Sequence, residues 1–355
     1  MIIIAFVLIA LFALFTYRKQ AAELERLWKS LAAERGLQWR PGGLLSYPQL
    51  VGEHRSYAVT ITITSRSQGK SKIPYTTVTV SPQRPLPPQL RITQEDFMDA
   101  MSKMLGGQDI TIGDDLLDPQ LRFRSSDPEG TRALFADPEL RQAIGSLSNG
   151  CPYSRLESEQ LVLETRGRLS ADLGEMLDDT IMMAAALDDA RIRPWQDIAS
   201  RLALVLSDSR RRVTLTGSHR GRQVFLSVNF AANRTIIDVP VTGLPAQLTI
   251  TKGDKLDAIQ LGDPILDGTL SVTGSDPEAI RALLRDDTLR GELLAVLHAW
   301  PGSQLTPKGV QLVMPGAAAV DLEARLEETT ALASTLARRL AQRHARGGER
   351  QPVSS

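Results

Sequence analysis

Six aspartates offer the most direct chemistry in this chain. Asp114, Asp118 and Asp127 recur as Asp263, Asp267 and Asp276, in the stretches GDDLLD and GDPILD, each followed by a Ser-Asp-Pro-Glu motif. Carboxylates gathered in turns are the oxygen donors that Ca²⁺ takes. The spacing is not that of an EF-hand loop, and neither its turn glycine nor its closing glutamate is in place. Asp127 and Asp276 also have another task. In Ser-Asp-Pro-Glu the aspartate accepts free amides at a helix start, the proline presets φ, and the glutamate favours the positive helix end. Turn and cap roles therefore outrank a metal site, and no metal ligand is assigned.

The remaining reactive residue types form no catalytic set. His54-Arg55 and His219-Arg220 stand in matching Gly-x-His-Arg turns, where they read as solvated hairpin residues, with an anion or lipid headgroup contact as the alternative. Gly69-Lys70-Ser71 imitates the end of a phosphate loop, but Thr64 stands where the first glycine is required. Ser67 and Lys70 have a Ser-x-x-Lys spacing without the helix and accompanying motifs that chemistry needs. Cys151 is the single cysteine, so no internal disulfide forms, and no histidine is placed to activate it. Two basic clusters, Arg210-Arg211-Arg212 and Arg338, Arg339, Arg343, Arg346 and Arg350, could meet anionic lipid at about 1 kcal/mol per charge. The second is diluted by Glu323, Glu327 and Glu328. No catalytic or cofactor-binding residue is assigned, and no cofactor.

The elements that position these residues occur twice. Gly113–Arg141 and Gly262–Arg290 agree at 15 of 29 positions without a gap, at an offset of 149 residues. The same offset carries Leu156 onto Leu305, Gly167 onto Gly316 and Leu187 onto Leu336. Upstream, Leu86–Thr93 matches Leu244–Thr251, and Gly52–Arg55 matches Gly217–Arg220. A duplicated feature is more readily architecture than chemistry.

Length suggests two domains, each large enough for its own core without disulfides. Forty-one basic and 41 acidic side chains cancel, which gives no support to nucleic acid as a partner. Arg outnumbers Lys 33 to 8, a bias typical of GC-rich bacterial genomes. Residues 1–17, MIIIAFVLIALFALFTY, are uncharged and almost wholly apolar. As a helix they span about 25 Å, the short end of a bilayer crossing. Basic Arg18-Lys19 follows the run rather than preceding it, and no cleavage site is evident, which fits an uncleaved anchor. Positive-inside bias then places the rest of the chain in the cytoplasm.

Pattern reading gives an α+β fold: a tandem duplication of one antiparallel-sheet-plus-helices domain after an N-terminal transmembrane helix. The expected divisions are 1–17 anchor, 18–190 first repeat, 191–346 second repeat and 347–355 disordered tail. Strands are expected at Tyr57–Thr64 and Tyr75–Val80, joined as a hairpin by a polar loop Ser65–Lys72, and at Val213–Thr216, Gln223–Phe230 and Thr235–Val239. A helix over Ser170–Asp189 closes the first copy. A separate one over Pro194–Ser207 opens the second, with Pro194 at its first position. The functional expectation is a non-enzymatic, single-pass membrane protein whose two domains bind a protein partner near the membrane, the loops Ser65–Lys72 and Phe97–Gln108 setting the copies apart. Two rivals stay open. One is an enzyme with a cleft between the domains; the other is a lipid- or anion-binding module using the arginine clusters.

Overall fold

Two strands that alternate apolar and polar residues set the frame of each copy. In a computed structural model the described residues are 15, 19, 22–43, 47–68, 71–94, 109–149, 153–167, 172–253, 258–317 and 319–348. The anchor expected at 1–17, apart from Phe15, and the loop Phe97–Gln108 lie outside them, as do Lys70, Cys151 and residues 349–355 of the expected tail. Among the described residues no helix is long and apolar enough to cross a membrane.

The chain divides into two units, Met1–Arg191 and Ile192–Ser355. The first opens with helix α1 (residues 22–35). A meander follows: β1 (Gln38–Arg40), β2 (Gln49–His54), β3 (Tyr57–Gln68) and β4 (Ser71–Ser81). Then come β5 (Arg91–Gln94), β6 (Leu121–Arg124), α2 (Pro128–Leu134), α3 (Pro138–Asn149), β7 (Arg155–Glu157), β8 (Leu161–Arg166) and α4 (Leu173–Arg201). The second unit repeats the strand order with β9 (Val205–Ser209), β10 (Arg212–His219), β11 (Arg222–Asn229), β12 (Arg234–Pro240), β13 (Thr249–Lys252) and, after an added short helix α5 (Pro264–Thr269), β14 (Leu270–Thr273). It closes with α6 (Pro277–Leu283), α7 (Asp287–Ala299), β15 (Gln304–Thr306), β16 (Gly309–Pro315) and α8 (Leu322–Gly348).

Each unit builds one eight-stranded, wholly antiparallel sheet. The strand order β1-β2-β3-β4-β8-β7-β5-β6 in the first is matched strand for strand by β9-β10-β11-β12-β16-β15-β13-β14 in the second. One topology thus occurs twice, as the repeat in the sequence implies. Tyr57, Val59, Ile61 and Ile63 of β3 point to one face and are buried with Val78 and Val80 of β4. Leu24, Trp28 and Ala32 of α1 and Leu177 and Ile181 of α4 join them in one cluster. In the second unit Val224, Leu226 and Val228 of β11 take that role, packed with Trp195 and Ile198 of α4 and Leu326 and Leu336 of α8.

The two-residue β2–β3 and β10–β11 turns are of the primed kind. Arg55 and Ser56 (φ 50° and 68°) and Arg220 and Gly221 (φ 49° and 73°) all lie in the left-handed region, the twist that suits tight hairpins. At Gly52 and Gly217 an added Cβ would press on Leu37 and Leu204 respectively, so each glycine admits the residue that follows the opening helix.

Two expectations are corrected. The helices foreseen at Ser170–Asp189 and Pro194–Ser207 are one continuous helix, α4, with Pro194 in its interior. The proline removes one backbone hydrogen bond; the apolar stripe Ile192, Trp195 and Ile198 beside it is buried in the second core and holds the helix on through it. The hairpin expected of Tyr57–Thr64 and Tyr75–Val80 forms, but Ser65–Gln68 and Ser71–Lys72, read as its loop, are paired strand. Pairing runs out to Gln68↔Ser71. Polar side chains misled there because backbone pairing is indifferent to them at the end of a sheet.

Candidate functional site

The duplicated residues are accounted for by local structure, in the same way in both copies. Asp118 accepts the amides of Ile112, Gly113 and Asp114 at 2.9–3.0 Å, and Asp267 those of Leu261 and Gly262 at 2.6 and 3.1 Å. Asp114 accepts Leu116 and Leu117 N–H and pairs with Arg141 at 3.2 Å; Asp263 accepts Ile265 and Leu266 N–H and pairs with Arg290 at 3.2 Å. Asp127 caps α2 through Gly130 N, and Asp276 caps α6 through Ala279 N. These oxygens face positive donors, the opposite of what a cation asks for. The His-Arg turns are likewise tied down. Arg55 approaches Asp178 at 3.5 Å and Arg220 approaches Glu327 at 2.6 Å, while His54 Nδ1 meets the Arg35 carbonyl at 3.0 Å.

Among the described residues, the basic clusters flagged in the sequence gather no shared site. Arg210–Arg212 lie exposed at the β9–β10 turn. On α8, Arg339 pairs with Asp286 at 2.6 Å and Arg338 donates to Thr335.

A different cluster does assemble, on the face of the first sheet opposite its helices. Register sets it out. Arg91 of β5 lies directly across from Arg124 of β6 and from Glu157 of β7. Two rungs along, on the same face, Thr93 stands between Arg122 of β6 and Arg155 of β7. Arg66 reaches in from β3. Together with Tyr153 these residues line an open groove of about 500 Å³. Strand periodicity puts Arg122 and Arg124 on one face, two residues apart, while Leu121 and Phe123 enter the core.

Three carboxylates hold the guanidiniums in place. Glu164, whose side chain is 2% exposed, accepts Arg66 Nε at 3.0 Å and Nη2 at 2.6 Å, with Arg155 Nη1 at 3.5 Å. Arg66 also lies 4.2 Å over the Tyr153 ring, which in turn meets Tyr75 edge-on at 5.3 Å. Asp109 takes Arg122 Nε at 2.8 Å and Arg124 Nε at 3.2 Å. Glu157 accepts Arg155 Nε at 2.9 Å and Gln160 Nε2 at 2.8 Å. Burial works to raise the Asp109 carboxyl, but the Arg122 and Arg124 hydrogen bonds outweigh it and hold the group below its ordinary value. At Glu157 burial is again opposed and overcome, by Gln160 and Arg155.

The second unit lacks this groove chemistry at matching positions. Arg122 and Arg124 become Ser271 and Thr273, Arg155 becomes Gln304, Arg91 becomes Thr249, Glu157 becomes Thr306 and the buried Glu164 becomes Val313. The supporting hydroxyl is kept: Ser154 Oγ accepts Glu164 N–H at 3.1 Å, and Ser303 Oγ accepts Val313 N–H at 2.9 Å. Scaffold is shared and charge is not. Arg66 has no counterpart, because the β3–β4 hairpin runs four rungs past the β11–β12 pairing. Sequence reasoning missed this cluster. Its signal was present in LRFR against LSVT and RLE against QLT, charge alternating at strand spacing in one copy alone.

The low pKa values set an acid limit with a definite sign. Groups held below their unfolded value stabilise the fold above that value and lose the contribution as pH falls through the folded one. Asp109, Glu157 and Asp114 act in this sense, Asp114 through the Leu117 and Leu116 amides first. Asp188 acts in the opposite sense. It is 3% exposed and accepts Gln83 and Arg84 N–H, yet burial pushes its carboxyl up, so its contribution is complete at low pH and lost as pH rises through the folded value. Denaturant melts of Asp109→Asn should therefore show a shallower loss of stability than the unsubstituted chain as pH falls below about 4, whereas Asp188→Asn should lack a gain in stability that the unsubstituted chain makes as pH falls toward about 4 from above.

Comparison with models of known protein families, with curated proteins and with solved structures finds no match. The class is set by the molecule's own features: a duplicated α+β sheet protein whose first copy carries an arginine-lined groove.

Proposed function

We propose that this chain is a single-pass, membrane-anchored, non-enzymatic binding protein, in which the first unit recognises a protein partner and the second is a supporting copy of the same scaffold. The observation that carries this reading is the asymmetry of the sheet face: five arginines gathered at positions where, in four cases, the second unit holds Ser, Thr or Gln. A scaffold present in both copies with a charged groove in one supports recognition by that one. The uncharged run at residues 1–17, with Arg18-Lys19 after it, supports the anchor and a cytoplasmic position for both units. The groove's guanidiniums bind and orient anions, and no nucleophile–base pair stands among them, which favours binding over catalysis.

Thr93 and Thr251 make the comparison direct, being the same residue at matching strand positions in the two sheets. A photo-crosslinking amino acid placed at Thr93 in the full chain should capture a defined partner in cells, and the same probe at Thr251 should not. Equal capture from both positions would contradict the assignment.

A further inference from the structure

We infer that the arginine groove takes an acidic peptide segment of a protein partner, one that presents two negative charges within a short extended stretch. This rests on the reading of the first unit as the recognition unit and adds the chemistry of what is recognised. Charge balance is the first reason. Five guanidiniums, those of Arg66, Arg91, Arg122, Arg124 and Arg155, face three carboxylates, Asp109, Glu157 and Glu164, leaving two positive charges in excess. Arg91 and Arg124 stand directly opposite each other across an antiparallel pair, and both are exposed. Like charges so placed destabilise a sheet, and an anion seated between them relieves the repulsion.

Preorganisation is the second reason. Arg66 is held by Glu164 and the Tyr153 ring, and Arg122, only 3% exposed at its side chain, by Asp109. Guanidinium forks fixed in this way match the paired oxygens of carboxylate or phosphate, and little side-chain entropy remains to be lost on binding. The form of the groove selects the source of the anion. It is open and polar-lined, unlike the concave, largely apolar pockets that bury a small molecule. Its floor, at Arg122, lies below the exposed Arg124, so a flat bilayer surface meets only the rim. An extended chain projecting acidic side chains reaches past the rim toward Arg91 and Arg124, while Arg122 stays held by Asp109. The two charges come from a pair of carboxylates two residues apart, which point the same way in an extended chain, or from one phosphorylated side chain.

The test uses the full chain in detergent and fluorescent peptides of about ten residues: one with a Glu-Gly-Glu centre, one with a single phosphoserine, and one with Gln-Gly-Gln. Binding by either acidic peptide and not by the Gln peptide is expected, weakening as salt rises from about 50 to 500 mM; which acidic peptide binds tighter identifies the source of the charge. Replacing Arg91 and Arg124 together by Thr, the residue at both matching positions of the second unit, should weaken binding about tenfold or more. Thr249→Arg with Thr273→Arg, outside the groove, should leave it unchanged. Melting curves of the variants report whether each folds, and R124T alone, which removes one charge of the pair and should still weaken binding several-fold, serves where the double variant does not. Binding of the Gln peptide as tightly as the acidic ones, undiminished binding after loss of Arg91 and Arg124, or binding of inorganic phosphate or phosphatidylserine vesicles in place of either acidic peptide would each overturn the inference. If acidic peptides fail while the Thr93 probe still captures a partner, the chemistry assigned to the groove is wrong and the recognition reading stands. If Thr93 captures no more than Thr251, that reading falls as well.

Discussion

Gly309→Ala is expected to destabilise the second unit by about 3 kcal/mol, among the larger effects a single methyl group can have. Gly309 opens β16 at φ 142°, outside the range L side chains adopt comfortably, opposite Pro240 of β12. An added Cβ would collide with the Val239 carbonyl oxygen and come within 2.8 Å of Pro240 Cα and Val241 N. Those are backbone atoms of a paired neighbour strand, so no rotamer change relieves the overlap. Relief requires the strands to part, and β12 and β16 join the meander to the rest of the sheet. The control lies in the same unit. Gly291 sits in the interior of α7, exposed, and a methyl group added there would have nothing within 4 Å, so Gly291→Ala should stabilise by about 1 kcal/mol through helix propensity. Calorimetry of both variants, with hydrogen exchange to localise the change, checks the pair. A Gly309→Ala chain that melts with the unsubstituted protein would show that the strand approach is looser than described.

Glu164→Gln is expected to weaken binding of an acidic peptide by about tenfold, although it removes a negative charge from the groove wall. Simple charge counting says the opposite, since the excess of two positive charges would become three. The geometry decides against it. Glu164 is the buried anchor that fixes Arg66 through two hydrogen bonds and draws in Arg155 from the other side. A glutamine carries one acceptor oxygen where the carboxylate has two, and its amide would point N–H groups at a guanidinium that cannot accept them. Arg66 is 36% exposed and can swing toward solvent once released. The preorganised fork is then lost, and its ordering has to be supplied from binding energy. A stability loss of about 1–3 kcal/mol accompanies the change, because a buried pair is broken on one side only and the arginines remain partly solvated. Titration of the Glu-Gly-Glu peptide against this variant decides between the two accounts; tighter binding would mean that summed charge, not fixed geometry, governs the groove.

Several features of this fold were legible because they are local. The Ser-Asp-Pro-Glu starts of α2 and α6 depend on an aspartate reaching amides three residues on, at 2.8 and 2.9 Å. The alternation of Tyr57, Val59, Ile61 and Ile63 announces a strand with one buried face without reference to any other segment. Repetition at a constant offset then says that one topology occurs twice. Local signals failed where neighbours override them. Pro194 looks like a helix start, but a buried apolar stripe carries α4 through it; Ser65–Lys72 looks like a loop, but each half has the other to pair with.

The groove belongs to the tertiary structure alone. Arg66 and Glu164 are 98 residues apart, and Arg91, Arg122 and Arg155 come from three strands whose order in the sheet is not their order in the chain. The sequence by itself determined two α+β copies, their caps and turns, and which residues alternate into the core. Only strand order and register decided that five scattered arginines share one face. Side chains two apart on a strand are set by the chain itself, whereas those on adjacent strands meet only through backbone pairing that no local pattern encodes.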